Sequence, residues 1–219
     1  MKKKPGRSTS DSHIRLVDPA DPDPALIAQA VRIIEGGGLV IFPTRTLYGI
    51  GGDAMNPEAV NRVFRVKQRL ANKPVSVLIN ARDDLARLAV KIPTAAVRFM
   101  ETFWPGRLTI VFAARPDVPS GLTAGTGKIG IRVPEHPVTV RLVASLGTPL
   151  TATSANLSGH PGADSIDQLP SEIIKRVDLV LDAGKLAGGA GSTVVDVTTD
   201  PPTMIRVGAI SREVLFPIL

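Results

Sequence analysis

Lys67, Arg69 and Lys73 crowd three cations into a short stretch. On a helix, Val60, Val63, Phe64 and Lys67 share one stripe, which turns Lys67 toward the body of the domain. A lysine there is costly unless it meets an anion or lines a cleft. Arg62, Arg65 and Arg69 make an adjacent basic face. Cations so grouped near a helix end suit phosphate through charge-assisted hydrogen bonds, and a solvated helix end is the plain alternative. Arg132 lies between apolar neighbours in Gly127-Lys128-Ile129-Gly130-Ile131-Arg132-Val133-Pro134, where an arginine reaches for a carboxylate or phosphate. A P-loop is ruled out there, because Ile129 stands where Ser or Thr is required and the leading glycine is misplaced.

Three further segments carry small polar side chains. Thr44 and Thr46 sit in Pro43-Thr44-Arg45-Thr46-Leu47-Tyr48-Gly49-Ile50-Gly51-Gly52, whose glycines allow close approach of backbone to a ligand or simply make a turn. A G-x-G-x-x-A match at Gly49–Ala54 lies too far beyond the preceding strand to signal a dinucleotide site. Thr151-Ala152-Thr153-Ser154-Ala155-Asn156 at a strand end suits ligand hydrogen bonding. Ser154 lacks a nucleophile elbow, so covalent serine catalysis is not expected. Gly188-Gly189-Ala190-Gly191-Ser192 is a glycine-rich loop that can present N–H groups and a hydroxyl to a carboxylate, or be an ordinary hairpin loop.

These residues need elements to hold them. Apolar periodicity predicts helices over 25–35, from Asn56-Pro57-Glu58 onward, and over 83–90, 94–103, 138–146 and 171–177. Short apolar runs predict strands at 39–42, 75–79, 108–113, 129–133, 149–153, 178–181, 193–197 and 203–207. The alternation gives an α/β fold, and the close spacing of the last strands makes its sheet mixed. The 219 residues suffice for one core without staples, and no linker or repeat divides them. The organisation expected is a disordered basic tail over 1–13 and one domain over 14–219.

Composition narrows the chemistry. The chain has no cysteine, which excludes disulfides, thiolate metal sites and a cysteine nucleophile. His13, His136 and His160 are widely separated, so no metal site is predicted. No apolar run nears the ~20 residues that cross a bilayer, and the basic start has no apolar stretch after it, so neither membrane nor secretion is expected and the reading is cytoplasmic. Of the net charge of +6, Lys2, Lys3, Lys4 and Arg7 contribute four. Such a tail can contact RNA or be merely solvated.

Taken in order, the motifs resemble the YrdC/TsaC family of threonylcarbamoyl-adenylate synthases, from about Leu26 to Ile210. They are Pro43 to Gly49, Lys67-Gln68-Arg69, Phe103-Trp104-Pro105-Gly106-Arg107-Leu108-Thr109, Arg132-Val133-Pro134, Thr153 to Gly159, Ser192 to Asp196 and Arg206-Val207-Gly208-Ala209-Ile210. The resemblance implies a single twisted mixed sheet with flanking helices around a deep basic cavity. It also implies a reaction of L-threonine, bicarbonate and ATP, normally with Mg²⁺, giving threonylcarbamoyl-AMP and pyrophosphate. Downstream tRNA-modification proteins would use the product, with tRNA itself a further partner. By match of position, Thr46, Arg132, Ala152 and Ser192 would hold threonine. Lys67, Arg69, Lys73, Lys128, Ser154, Asn156, Gly162 and Arg206 would surround the nucleotide, with Lys67 and Arg69 as the catalytic cations. One cavity should therefore take in Lys67, Arg69, Arg132, Ser154 and Ser192. Arg45, Leu70 and Leu78 depart from the family pattern, which ordinarily has an acid, a proline and, in many members, a histidine there. Longer members carry a second C-terminal domain, and the expectation here is the single-domain form. Two alternatives stay open: a paralogue of the same fold with an altered substrate, and a non-catalytic tRNA or double-stranded RNA binder. The second is disfavoured by the few aromatic residues available for base stacking.

Overall fold

The computed structural model describes residues 13–70 and 72–219. In chain order the elements are β1 (Ile14–Leu16), α1 (Pro24–Glu35), β2 (Val40–Pro43), β3 (Tyr48–Gly51), α2 (Pro57–Lys67), β4 (Ser76–Leu78), α3 (Thr94–Phe103), β5 (Leu108–Ala113), α4 (Ser120–Thr123), β6 (Lys128–Arg132), α5 (Pro137–Leu146), β7 (Leu150–Ser154), α6 (Ser171–Ile174), β8 (Leu179–Asp182), β9 (Thr193–Asp196), β10 (Thr203–Arg206) and α7 (Arg212–Leu215). The strands form one sheet in the order β1-β8-β2-β3-β7-β4-β6-β5-β9-β10. The β1–β8, β2–β8, β4–β6 and β5–β9 pairs are parallel and the others antiparallel, so the sheet is mixed, as expected.

Helices cover both faces at the β2–β8 end. Leu26, Ile27 and Ile34 of α1 pack with Val138, Leu142 and Val143 of α5 over Val40, Phe42 and Leu179. On the other face, Val63 and Val66 of α2 and Ile173 of α6 meet Ile41, Ile50 and Val180. At the other end α3 lays Ala96, Phe99 and Met100 against Val77, Ile110, Ile129, Ile131 and Val195. Strand side chains alternate between faces. The opposite face of β4, β5, β6 and β9 therefore presents Ser76, Thr109, Val111, Lys128, Gly130, Arg132, Val194 and Asp196 to a cleft.

Three expectations change. Residues 48–51, read as a loop, form β3, which makes a hairpin with β2 (Phe42↔Gly49, Pro43↔Tyr48). Its glycines look like turn residues in sequence, but a Cβ on Gly51 would lie 1.8 Å from the Thr151 carbonyl oxygen, so the sheet requires glycine there. The helix expected over 83–90 is a 3₁₀ segment, Arg82–Arg87, with Leu85 buried. The helix expected over 171–177 stops at Ile174. The tail expected over 1–13 lies outside the described residues apart from His13. That residue belongs to the fold: its carbonyl accepts from Val180 N (3.0 Å) and its Nε2 lies 2.9 Å from the Ile174 carbonyl oxygen.

Candidate active site

Helix α2 delivers the first cations. Asn56 caps it by accepting from Glu58 N (3.0 Å) and Ala59 N (3.3 Å), with Pro57 in the first turn. At the other end Gln68 adopts the left-handed conformation (φ 50°). Gln68 N then donates to Arg65 O and Arg69 N to Phe64 O, closing the last turn. This termination sends Lys67 and Arg69 in different directions.

Lys67 is 1% exposed. Its Nζ donates to the carbonyl oxygens of Ser154 and Asn156, the latter at 2.6 Å, and its own carbonyl accepts from Ser158 N (2.9 Å). Burial, and next the Arg69 guanidinium, push its pKa down to about 7. Lys67 thus clamps the turn after β7 from behind, and its ammonium is directed at backbone rather than into the cleft. Asn156, 7% exposed, belongs to the same clamp: its Oδ1 accepts from Ser154 Oγ, and its Nδ2 donates to the carbonyls of Leu157 (2.8 Å) and His160 (2.5 Å).

The cleft holds about 690 Å³. Among the described residues its wall carries six cations, Arg45, Arg69, Arg107, Lys128, Arg132 and Arg206, and one carboxylate, Asp196. Arg69 is held by donating Nε to Lys73 O (3.2 Å) and Nη2 to Pro74 O (2.8 Å). Arg206 donates Nη2 to Ser192 O (2.7 Å) and to Ser192 Oγ (3.1 Å), and Ser192 Oγ lies 2.8 Å from Thr109 Oγ1. Burial pushes the pKa of Arg132 down to about 10, with Glu135 opposing and Arg206 adding to the fall. Burial also lowers Arg69, helped by Arg206, and burial lowers Arg206. All three remain cations at neutral pH and lie within one another's field, an arrangement that favours a polyanion.

Of the residues singled out from sequence, Thr46, Arg69, Lys128, Arg132, Ala152, Ser154, Ser192 and Arg206 share this cleft. Lys67, Lys73, Asn156 and Gly162 do not line it. Lys73 is exposed on the α2–β4 connection and contributes its carbonyl to Arg69. Gly162 packs behind the wall, where a Cβ would come within 2.7 Å of Leu47 Cδ1. Among the wall residues not assigned from sequence are Thr109, Asp196 and Arg107. Thr109 and Asp196 stood inside quoted motifs, and the alternation of their strands was the signal that could have found them. Arg107 stood in the same quoted motif as Thr109 but just ahead of β5, so strand alternation did not reach it and its charge was the only pointer.

The family model described as Telomere recombination (Sua5_yciO_yrdC) matches residues 32–208. A relative from Mycobacterium tuberculosis is 37% identical over 204 residues, covering 92% of this chain and 94% of that protein. The threonylcarbamoyl-AMP synthase of Pyrococcus abyssi is 35% identical over 184 residues, 84% of this chain and 54% of that protein, so the chain spans about half that relative's length. The crystal structure of P. abyssi Sua5 complexed with L-threonine superposes with a TM-score of 0.90 at 33% identity, covering 94% of this chain and 60% of that one.

Proposed function

Because the chain belongs to the Sua5/YciO/YrdC family, we propose that it makes threonylcarbamoyl-AMP and pyrophosphate from L-threonine, bicarbonate and ATP. The observation that carries this reading is the clustering of Arg69, Arg132 and Arg206 with Ser192 in one cleft. In the reaction the threonine nitrogen bonds to the bicarbonate carbon with loss of water. An oxygen of the resulting N-carboxylate then bonds to the α-phosphorus of ATP, and the bond to the β-phosphate oxygen breaks to release pyrophosphate. Neither step needs a protein nucleophile. Both need two anions held against their mutual repulsion, which fixed cations in a walled cleft can do.

Arg132, Thr46, Ser192 and Ala152 form the amino-acid end in this reading. Arg69, Arg206, Lys128 and Ser154 face the nucleotide. Lys128 and Arg132 stand four residues apart on one face of β6, a span of roughly 13 Å that accommodates an extended nucleotide. Lys67 and Asn156 act on the nucleotide through the Ser154 turn they hold, Lys73 through Arg69, and Gly162 by leaving room for Leu47. Mg²⁺ would be held by the phosphate oxygens: among the described residues no cluster of three metal-ligating side chains exists, and Asp196 is already engaged by Lys128 and Thr198. No described helix is long and apolar enough to cross a membrane. We place the protein in the cytoplasm, residues 14–219 as one domain, and its product in the hands of tRNA-modification proteins, with tRNA as a further partner.

A second amino acid deserves testing because Arg45 lines the cleft beside Thr46, where its charge suits a second carboxylate. The test is pyrophosphate release from ATP with bicarbonate and Mg²⁺, with and without threonine, with aspartate and glutamate in parallel. Release should require threonine and fall by about 10–100-fold in Arg132→Ala, the loss of a charged hydrogen-bonding partner. Release that ignores threonine but responds to an acidic amino acid would replace the substrate, and release indifferent to every amino acid would overturn the synthase reading.

A further inference from the structure

Lys128 does not simply point up from β6. It pairs with Ala113 on β5, while Asp196 on β9 pairs with Val111 on the other side of the same strand. The lysine side chain therefore crosses β5 beside Val111, and its Nζ donates to Asp196 Oδ2 at 2.8 Å. The carboxylate is fixed in turn, because its Oδ1 accepts from Thr198 N (2.8 Å) and Thr198 Oγ1 (2.6 Å). Asp196 is 5% exposed, whereas the Lys128 side chain is 40% exposed and faces the cleft. The result is a strap across the floor of the cleft, with its free surface turned to whatever occupies that end.

We propose that Asp196 is a positioning residue that holds the Lys128 ammonium in place for the nucleotide phosphates, with Thr198 fixing the carboxylate. This rests on the nucleotide reading given above. A free lysine on a cleft floor samples many rotamers, and fixing it on binding costs roughly 1.5–2 kcal/mol. The other cations of the cleft would also push an untethered ammonium away. Tethering it beforehand removes both penalties from the binding step. The strap satisfies one of the three N–H donors of Lys128 and leaves the others for ligand oxygens.

The measurement is equilibrium binding of ATP to the full chain in the absence of threonine, together with melting temperature. Asp196→Asn and Lys128→Met should each weaken ATP binding by about tenfold, the size of a charged hydrogen bond. The double variant should bind no more weakly than Lys128→Met alone, because the carboxylate acts only through the lysine. Thr198→Val, which removes the hydroxyl donor to Oδ1 while keeping the backbone N–H donor and the carboxylate, should weaken ATP binding by up to several-fold and lose this effect in the Lys128→Met background. It carries the test if Asp196→Asn fails to fold. Additive losses in the double variants, or a lower melting temperature with unchanged ATP binding, would overturn the proposal by making the strap purely structural. Unaltered ATP binding by Lys128→Met would overturn it as well. A wild-type protein that binds ATP but releases no pyrophosphate with threonine would sink the synthase reading and leave the strap to be judged on the binding data alone.

Discussion

Lys67 shows how a residue can be placed correctly from sequence and still act differently than expected. Its helical stripe turns it inward, and an inward lysine needs an anion, a cleft or strong acceptors. It finds two backbone carbonyls, those of Ser154 and Asn156, 87 and 89 residues further along the chain. No local pattern could reveal them. Replacing Lys67 by Met keeps most of the stem but leaves both carbonyls without their donor. Denaturant unfolding should register a loss of roughly 1–3 kcal/mol. The pH dependence is a separate signature. With a folded pKa of about 7 and an ordinary value of 10.5, the unfolded chain binds a proton between those limits that the native chain does not. Wild-type stability therefore gains a contribution as pH rises from about 7 toward 10.5, and Lys67→Met lacks it. The gap between the two proteins should widen between pH 7 and pH 9.5. A constant gap would mean that Lys67 retains an ordinary pKa in the fold.

At the level of elements, the cleft is a product of strand alternation. On β6 the order Lys-Ile-Gly-Ile-Arg puts Ile129 and Ile131 into the core and Lys128, Gly130 and Arg132 into the cleft. That pattern was readable, and the strand was expected within one residue of its position. The capped start of α2 and the bounds of α3 and β5 were readable for the same reason, because their signals are local. β3 was not, because its Gly51 is demanded by Thr151 of β7, far away in sequence. The two kinds of glycine should respond differently to alanine. At Gly51 a Cβ would meet the Thr151 carbonyl, a rigid backbone atom, so Gly51→Ala should sharply reduce the yield of folded protein. At Gly130 a Cβ would lie 2.9 Å from Ser76 Oγ and 3.1 Å from Thr109 Cγ2, both on the cleft floor and both side-chain atoms. Gly130→Ala should fold, since the serine hydroxyl can turn away, but should raise KM for its substrates by narrowing the floor. Circular dichroism separates the two variants. A folded Gly51→Ala, or a Gly130→Ala with wild-type kinetics, would contradict this account.

For the whole molecule, the cleft matters because of what it joins. Its wall draws Thr44, Thr46 and Tyr48 from the half of the sheet covered by α1, α2 and α5, and Thr109, Arg132 and Ser192 from or beside the strands covered by α3 or next to them. Like charges gathered between two packed regions work against the fold when the cleft is empty and with it when an anion bridges them. A nucleotide should therefore stabilise the two halves together rather than one alone. At a concentration 100 times its dissociation constant, a ligand that binds only the native state adds about 2.7 kcal/mol. For a chain of this size that corresponds to a rise in melting temperature of roughly 5–11 °C. Calorimetry with and without ATP should show one transition that moves upward as a unit, and Arg206→Ala should reduce the shift by weakening both phosphate attraction and the hold on Ser192. Two transitions, with only one moved by ATP, would mean that the nucleotide sits against a single half and that the cleft does not bridge the sheet as its wall suggests.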